Sequence, residues 1–387
     1  MLKQDPPRRA RTTAKKGPKG TNELTGSSFF KTAPPSRITN FRVRGTGKHI
    51  ELPTVVTYTV GREPTPDDTP EPRADVLLPT PRKGVSLVHA TFEWRGDRLW
   101  CRDAASTNGT MANHEPQRDW FNVSSGMRLD FGDTSVIAMD WRLTDLCEPL
   151  AWCLGLDAIQ EVDRAVSLVQ KDGPLLLTGP RDGDQEWLAR KIHEASARRE
   201  QPFTAFTTPL GRGAEDKLDE AGFGTVFVDL TAVGKVTAAF ASRLFEGQSP
   251  HLKLRPIIAA ETHNESHRAF QQLGQGHTLA LPSLEKRRHE VERLLDQLMD
   301  NHESTLRIRD LGSPWAERLV EYEWAGLGEL REAERRIRAL LENGNNKTLA
   351  AKQVGMSRQA FTKFLTKILG RTTSGYASTA THRSRRP

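Results

Sequence analysis

Residues 175–192 read LLLTGPRDGDQEWLARKI. The run Leu175–Thr178 enters a loop bearing Gly179 and Gly183, and the chain leaves that loop with apolar residues at Trp187, Leu188 and Ile192. The first run is short and apolar, as in a buried strand, and the second has helical spacing. Strand, glycine-bearing loop and helix form the frame of a phosphate cradle, in which loop amides and a helix N-terminus face the anion. Such a cradle needs a lysine and then a Ser or Thr after its last glycine. Here Asp184 and Gln185 stand in those places. The frame predicts an α/β domain, and the carboxylate at Asp184 predicts that a nucleotide phosphate is repelled from it.

On the C-terminal side the alternation of strand and helix continues from about Ala151. TVFVDL and RPIIAAE are further buried strands of a parallel sheet. After Pro282 helices dominate: LEKRRHEVERLLDQLMDNHES, WAERLVEYEW and GELREAERRIRALLEN, then a compact helical pair from Lys347 to Leu369. On the N-terminal side, Ile38 to about Leu146 holds short alternating strands: FRVRGTGKHIEL, TVVTYTVGRE, HATFEWRGDRLWCRD and MRLDFGDTSVIAMDWRL. Clusters of Gly, Pro, Asn and Asp separate them, which predicts a β-sandwich with a polar insert, EPTPDDTPEPRAD. Residues 1–36, rich in Pro, Lys, Arg, Thr and Gly, read as a disordered basic tail, and 371–387 as a loose basic tail. The expected domains are therefore 37–146 (all-β), 157–342 (α/β) and 343–370 (all-α).

Composition restricts the function. The chain has 387 residues, 36% of them hydrophobic, with no apolar run long enough to span a membrane and no apolar N-terminal core of a secretory signal. Cys101, Cys147 and Cys153 form neither a metal-ligand spacing nor a disulfide framework, which points to a reducing cytoplasm and to no metal. Residues 1–20 carry a net charge of +6 and residues 345–387 carry +9, so within a total of +7 the remainder is −8. A polyanion would be gripped at the ends.

Within the β segment, Gly61-Arg62 ends a strand, Ser86 and His89 lie in SLVH, and Ser106-Thr107-Asn108-Gly109-Thr110 closes a turn. In this order they resemble the forkhead-associated (FHA) domain, a reader of phosphothreonine peptides. A phosphothreonine is a near-dianion with several acceptor oxygens, suited to an arginine fork plus hydroxyls and amides. The resemblance implies that Arg62, Ser86 and Thr107 bind the phosphate, that Asn108 holds the peptide backbone, and that Gly61, His89 and Gly109 shape the loops. It departs from the pattern at Leu87, where the family often has a basic residue.

The landmarks from 157 to 342 resemble the AAA+ domain of sigma-54-type enhancer-binding activators: the glycine loop, LDEAGFGTVFVDL, RPIIAAETH, LALPSLEKRRHEV and EYEWAGLGELREAERRI. The resemblance assigns catalytic positions, and most of them have changed. Asp184 and Gln185 replace the phosphate-loop lysine and hydroxyl. Asp229 remains, but Leu230 replaces the water-polarising glutamate. Glu261-Thr262 replaces the polar sensor pair, Gly328 the second-sensor arginine, and AFQQLGQ the arginine-finger stretch. TTPLGRGAEDK is too short for the polymerase-contacting loop. Loss of charge, metal and water activation together predicts a degenerate nucleotide site (Gly179, Gly183, Asp184, Gln185, Asp229, Leu230), no ATP or Mg2+ as cofactor, and no enzymatic activity.

In NNKTLAAKQVGMSRQAFTKFLTKIL, Thr348 is expected to cap one helix and Ser357 a second, with Ala360, Phe361, Phe364, Leu365 and Ile368 on its buried side. The segment resembles the Fis-type helix-turn-helix that ends the same activator family. Arg358 and Gln359 are candidates for base edges, Thr362 lies beside them, and Ser357, Lys347, Lys363 and Lys367 are candidates for phosphates. Binding in this manner requires a homodimer or higher oligomer on double-stranded DNA. The combined expectation is a bacterial cytoplasmic transcription regulator, nucleoid-associated when bound. Its phosphothreonine partner would be a Ser/Thr kinase, a kinase substrate, or the tail threonines Thr372, Thr373, Thr379 and Thr381. The alternatives are an active ATP-driven sigma-54 activator and a phospho-dependent scaffold without DNA function.

Overall fold

The computed structural model describes residues 37–66, 68, 73–80, 83–181, 183–245, 254–261, 276–300 and 306–369. Both tails, the AFQQLGQ stretch, Thr262 and the end of the helix expected at DNHES lie outside these residues.

The N-terminal part is a sandwich of two sheets. One sheet comprises β1 (Ile38–Val43), β2 (His49–Glu51), β7 (Thr110–Ala112), β8 (Glu115–Gln117), β10 (Arg128–Phe131) and β11 (Thr134–Asp140), in the order β2-β1-β11-β10-β7-β8. The other comprises β3 (Thr57–Arg62), β4 (Val76–Leu78), β5 (Ala90–Arg95), β6 (Arg98–Asp103) and β9 (Phe121–Val123), in the order β4-β3-β5-β6-β9. Alternation decides the faces. In β5, Ala90, Phe92 and Trp94 point inward while Glu93 and Arg95 face solvent. Phe41, Tyr58, Phe92 and Phe131 fill the core, with Tyr58 stacked on Phe92 at 5.3 Å between ring centroids. Each such ring removed from water contributes about 2–3 kcal/mol. Four strands that the sequence left as loop (β4, β7, β8, β9) are three residues each, too short to show a period of two.

The sandwich runs into the next part without a linker. The sequence predicts a strand through Leu143; instead β11 ends at Asp140, whose carboxylate accepts the Leu143 amide at 2.9 Å and starts helix α1 (Trp141–Leu154). The domain edge drawn at 146 therefore falls inside a helix. Leu143, Leu146, Leu150 and Cys153 bury one side of α1 in the core that also holds α2 (Ile159–Val169). A buried ion pair ties sandwich to helix: Arg42 Nε donates to Asp163 Oδ1 at 2.7 Å, and the Gly45 amide donates to Oδ2 at 2.8 Å.

The α/β part is a fully parallel sheet of β12 (Leu175–Thr178), β13 (Phe203–Phe206), β14 (Thr225–Asp229), β15 (Arg255–Ala260) and β16 (His277–Ala280), in the order β13-β14-β15-β12-β16. Helices α3 (Gln185–Ala195), α4 (Ala214–Ala221), α5 (Leu230–Val233) and α6 (Ala238–Phe245) accompany it. Both sheet faces are covered, so LLLT, TVFV and RPIIAA are buried throughout. The loop after β12 opens at the carboxyl edge of the sheet, where Asp229 ends β14.

The remaining helices are α7 (Val291–Asp300), preceded by a 3-10 segment Leu284–Glu290, then α8 (Ser313–Glu321), α9 (Leu327–Glu342), α10 (Lys347–Gln353) and α11 (Arg358–Leu369). One apolar cluster runs from α1 through α9 to Ala350, Phe361, Leu365 and Ile368, so the final helical pair is packed against the helices before it. Two local readings are corrected. Asn346 caps α10, its side-chain oxygen accepting the Thr348 and Leu349 amides from the position just before the helix; Thr348 is already the second residue of the first turn. Ala360 is exposed, since the buried stripe of α11 passes through Phe361, Leu365 and Ile368, with Phe364 half-buried. Among the described residues no helix is long and apolar enough to cross a membrane, and all three cysteines are free.

Candidate functional site

The loops at one end of the sandwich bring the predicted residues together through backbone contacts. The segment Ser86–Leu87 crosses directly over Gly61, where a Cβ would lie 2.0 Å from the Leu87 carbonyl oxygen, so only glycine fits. That approach lets the Arg62 amide donate to the Ser86 carbonyl at 3.1 Å. Ser86 Oγ in turn accepts the Thr107 amide at 3.1 Å, which links the two loops. Asn108 Nδ2 donates to the Gly84 carbonyl at 2.7 Å. The Thr107 and Asn108 side chains are exposed.

Fully buried His89 staples this arrangement from beneath. Its Nδ1 accepts the Ser86 amide at 3.1 Å, so its Nε2 carries the proton and donates to the Gly109 carbonyl at 3.0 Å. Burial pushes its pKa below the ordinary value and keeps it neutral. A residue that sequence reading passed over, Asp103, organises the Ser106–Thr110 turn by accepting from the Ser106 amide and hydroxyl and from the Thr110 hydroxyl. Burial works to raise this carboxyl, but the bonds from Ser106 and Thr110 outweigh it and hold it below its usual range. The signal was present as an Asp three residues before the serine that opens the STNGT turn.

Arg62 itself is not open. Its guanidinium forks onto Asp68, Nη1 to Oδ2 at 2.5 Å and Nη2 to Oδ1 at 2.7 Å, and Nη1 also donates to the Glu63 carbonyl. The Arg62 hydrogen bonds, followed by those from Thr65, hold the Asp68 carboxyl well below its usual range.

The glycine loop after β12 is closed in a different way. Gly179 lies against Leu281, whose carbonyl oxygen would be 2.7 Å from a Cβ, which accounts for glycine there by packing. Gln185 folds back into the loop and donates to the Pro180 carbonyl at 2.6 Å. Asp184 takes a left-handed backbone conformation (φ 59°) at the start of α3. Its carboxylate accepts Trp152 Nε1 at 3.1 Å and pairs with Arg331 on α9 at 3.0 Å. The Arg331 guanidinium also lies 4.5 Å from the Trp187 ring centroid. Arg181 pairs with Glu261 at 2.9 Å, and Asp229 is spent as the cap of α5, accepting from Thr231 and Ala232. Leu230 begins α5, and a cavity of about 470 Å³ bounded by Arg181, Asp184, Trp187, Phe227 and Asp229 remains at the sheet edge. The metal-ligand types that come closest together among the described residues, Asp157, His289 and Glu290, already have cationic or amide partners: Arg293 for Asp157, Arg287 and the Leu156 amide for Glu290.

On the last helical pair, Ser357 Oγ accepts the Ala360 amide at 3.1 Å and caps α11. Arg358, Gln359, Thr362, Lys363 and Lys367 line one surface of α11, while Lys347 lies apart at the start of α10. Lys367 is held by Glu329 of α9 at 2.8 Å, a hydrogen bond that raises its pKa.

Comparison with known proteins places this geometry in context. The family model described as FHA domain matches residues 58–132, which contain every loop residue of the sandwich named above, and this part of the sandwich is an FHA domain. The chain is similar to the FHA domain of CT664 from Chlamydia trachomatis (21% identity, 27% of this chain and 99% of that chain, TM-score 0.22). It is similar to the FhaA FHA domain, solved in complex with the intracellular domain of Rv3910 (24%, 25% and 96%, 0.21). It is also similar to NtrX from Brucella abortus, solved in complex with ATP (18%, 60% and 68%, 0.33). No curated protein matches the chain.

Proposed function

We propose that this chain is a DNA-binding transcription regulator that reads a phosphothreonine partner through its FHA domain, and that its α/β part joins the two ends without hydrolysing ATP. The observation that carries the reading is the loop cluster on Gly61, Arg62, Ser86 and Thr107 inside the region matched as an FHA domain. Arg62 offers two donors in a fork, and Ser86 and the exposed Thr107 add hydroxyls, a donor set suited to a phosphate. A protein carrying phosphothreonine, such as a Ser/Thr kinase or its substrate, is the partner class.

Support for a silent nucleotide site comes from its internal pairing. Asp184 with Arg331, Arg181 with Glu261, and Gln185 inside the loop take the positions and charges that a triphosphate and magnesium require. Support for DNA comes from the capped α11 with Arg358, Gln359, Thr362 and Lys363 on one surface, and from a C-terminal segment without acids. A second copy would supply the matching half-site. The test has three arms on the full chain. Capture of a degenerate phosphothreonine peptide library is expected to vanish with Arg62→Ala. ATP turnover with DNA present is expected to be nil. Affinity for double-stranded DNA is expected to fall with salt, with the slope reduced by about one for Lys363→Ala. Equal capture of phosphorylated and unphosphorylated peptides would overturn the reading.

A further inference from the structure

The Arg62 fork is already filled, and what fills it has the contacts of a bound phosphate. Asp68 accepts from Arg62 Nη1 and Nη2 at 2.5 and 2.7 Å, from the Thr65 amide at 2.6 Å and from the Thr65 hydroxyl at 2.7 Å. Guanidinium fork, backbone amide and hydroxyl are the donor types that a phosphate takes. The pair is shielded, with side-chain exposures of 10% and 11%. Arg62 Nε, buried beside it, has no hydrogen-bond partner among the described residues.

The placement of Asp68 follows from the local chain. It lies in the polar insert between β3 and β4, where its own amide donates to the Thr65 carbonyl at 2.9 Å and closes a tight turn. The far end of the insert is tied back to β3 through Asp75, which accepts the Thr59 amide and hydroxyl at 2.7 and 2.8 Å. The carboxylate is thus delivered to the arginine six residues earlier by a turn closed on Thr65.

Resting on the reading of Arg62 as the phosphate-binding residue, we propose that Asp68 is a built-in phosphate mimic that weakens capture of every anionic ligand by the same factor, so that phosphothreonine, the stronger ligand, is retained while acidic side chains fall below useful affinity. A ligand must displace a monoanionic carboxylate already held by four hydrogen bonds. An incoming Asp or Glu brings the same charge and the same two oxygens, and gains nothing over the resident group. A phosphothreonine brings a charge of about −1.5 to −2 and a third oxygen, and so attracts the guanidinium more strongly and accepts more hydrogen bonds than the carboxylate it displaces. The apparent dissociation constant is the intrinsic value divided by the fraction of molecules with the fork free, so removing Asp68 tightens binding by that factor.

The experiment uses the full chain and two peptide libraries with degenerate flanks, one with a fixed central phosphothreonine and one with glutamate there. Asp68→Ala is expected to tighten capture of the phosphothreonine library by about tenfold, for a fork free about a tenth of the time, and to raise capture of the glutamate library above the wild-type level. Arg62→Ala is expected to abolish both gains in the Asp68→Ala background. Circular dichroism confirms folding, and Asp68→Asn serves the same comparison if the alanine variant does not fold. Unchanged or weaker phosphothreonine capture by the Asp68 variants, with capture still dependent on Arg62, overturns this proposal and leaves the phosphothreonine reading standing. No phosphothreonine capture by wild type or by either variant overturns both.

Discussion

The ion pair between Arg42 and Asp163 fixes the FHA sandwich to the α/β part, and its removal has a calculable cost. Asp163→Ala deletes a carboxylate that is 1% exposed and that accepts Arg42 Nε at 2.7 Å and the Gly45 amide at 2.8 Å. The guanidinium left behind is 8% exposed and keeps only the Gly47 carbonyl at 3.2 Å and the His49 ring at 3.1 Å. Breaking a buried pair on one side costs about 3–5 kcal/mol, because the surviving charge stays desolvated. Gly45 is exposed and water can satisfy its amide, so the lower figure, about 3 kcal/mol, is the expected loss. Arg42→Met should cost a similar amount for the mirror reason. The double variant Arg42→Met/Asp163→Leu leaves no buried charge and should be far less destabilised than the sum of the singles. Urea unfolding followed by tryptophan fluorescence measures all three. A loss below about 1 kcal/mol for Asp163→Ala, or strict additivity in the double variant, would refute the claim that this pair locks the joint.

Three other outcomes follow from the same geometry. Gly61→Ala should cost about 1–3 kcal/mol by overpacking, since the new Cβ meets the Leu87 carbonyl oxygen at 2.0 Å, and phosphothreonine capture should fall with it; thermal melting and peptide capture read the two effects. Arg331→Ala removes the cationic partner of the Asp184 carboxylate, which is 10% exposed and keeps the Trp152 Nε1 bond, and should cost about 1–3 kcal/mol; urea unfolding should show Asp184→Asn recovering much of that loss in the Arg331→Ala background. The pKa of His89 is lowered from 6.5 by burial, so the unfolded chain binds its proton first as pH falls. Its contribution is fully present above pH 6.5 and is lost as pH drops from there toward the lowered folded value, a slope in melting temperature that His89→Gln should flatten, although His49, His193 and His277 act in the same direction.

The sequence by itself determined the classes of structure and their order, because these are short-range properties. The period of two in ATFEWR, the uninterrupted apolar runs LLLT and TVFV, and the helical spacing in RQAFTKFLTKIL are each read within a few residues of one another, and burial then follows. It also named the loop residues of the FHA domain, since Gly61, Arg62, Ser86 and the Ser106–Thr110 turn are local chemistry at fixed order. Only the tertiary structure decided what those side chains are bonded to. Arg42 meets Asp163 across 121 residues, and Arg331 reaches back to Asp184 from the far helices, contacts that no local pattern carries. The three-residue strands β4, β7, β8 and β9 exist because neighbours pair with them, not because of their own propensity. Even Asp68, only six residues from Arg62, was opaque, because a loop carboxylate finds an arginine only when a turn aims it there. The physical reason is common to all these cases: periodicity is set by backbone geometry near each residue, whereas a charged side chain takes whichever partner the completed fold leaves beside it in the absence of water.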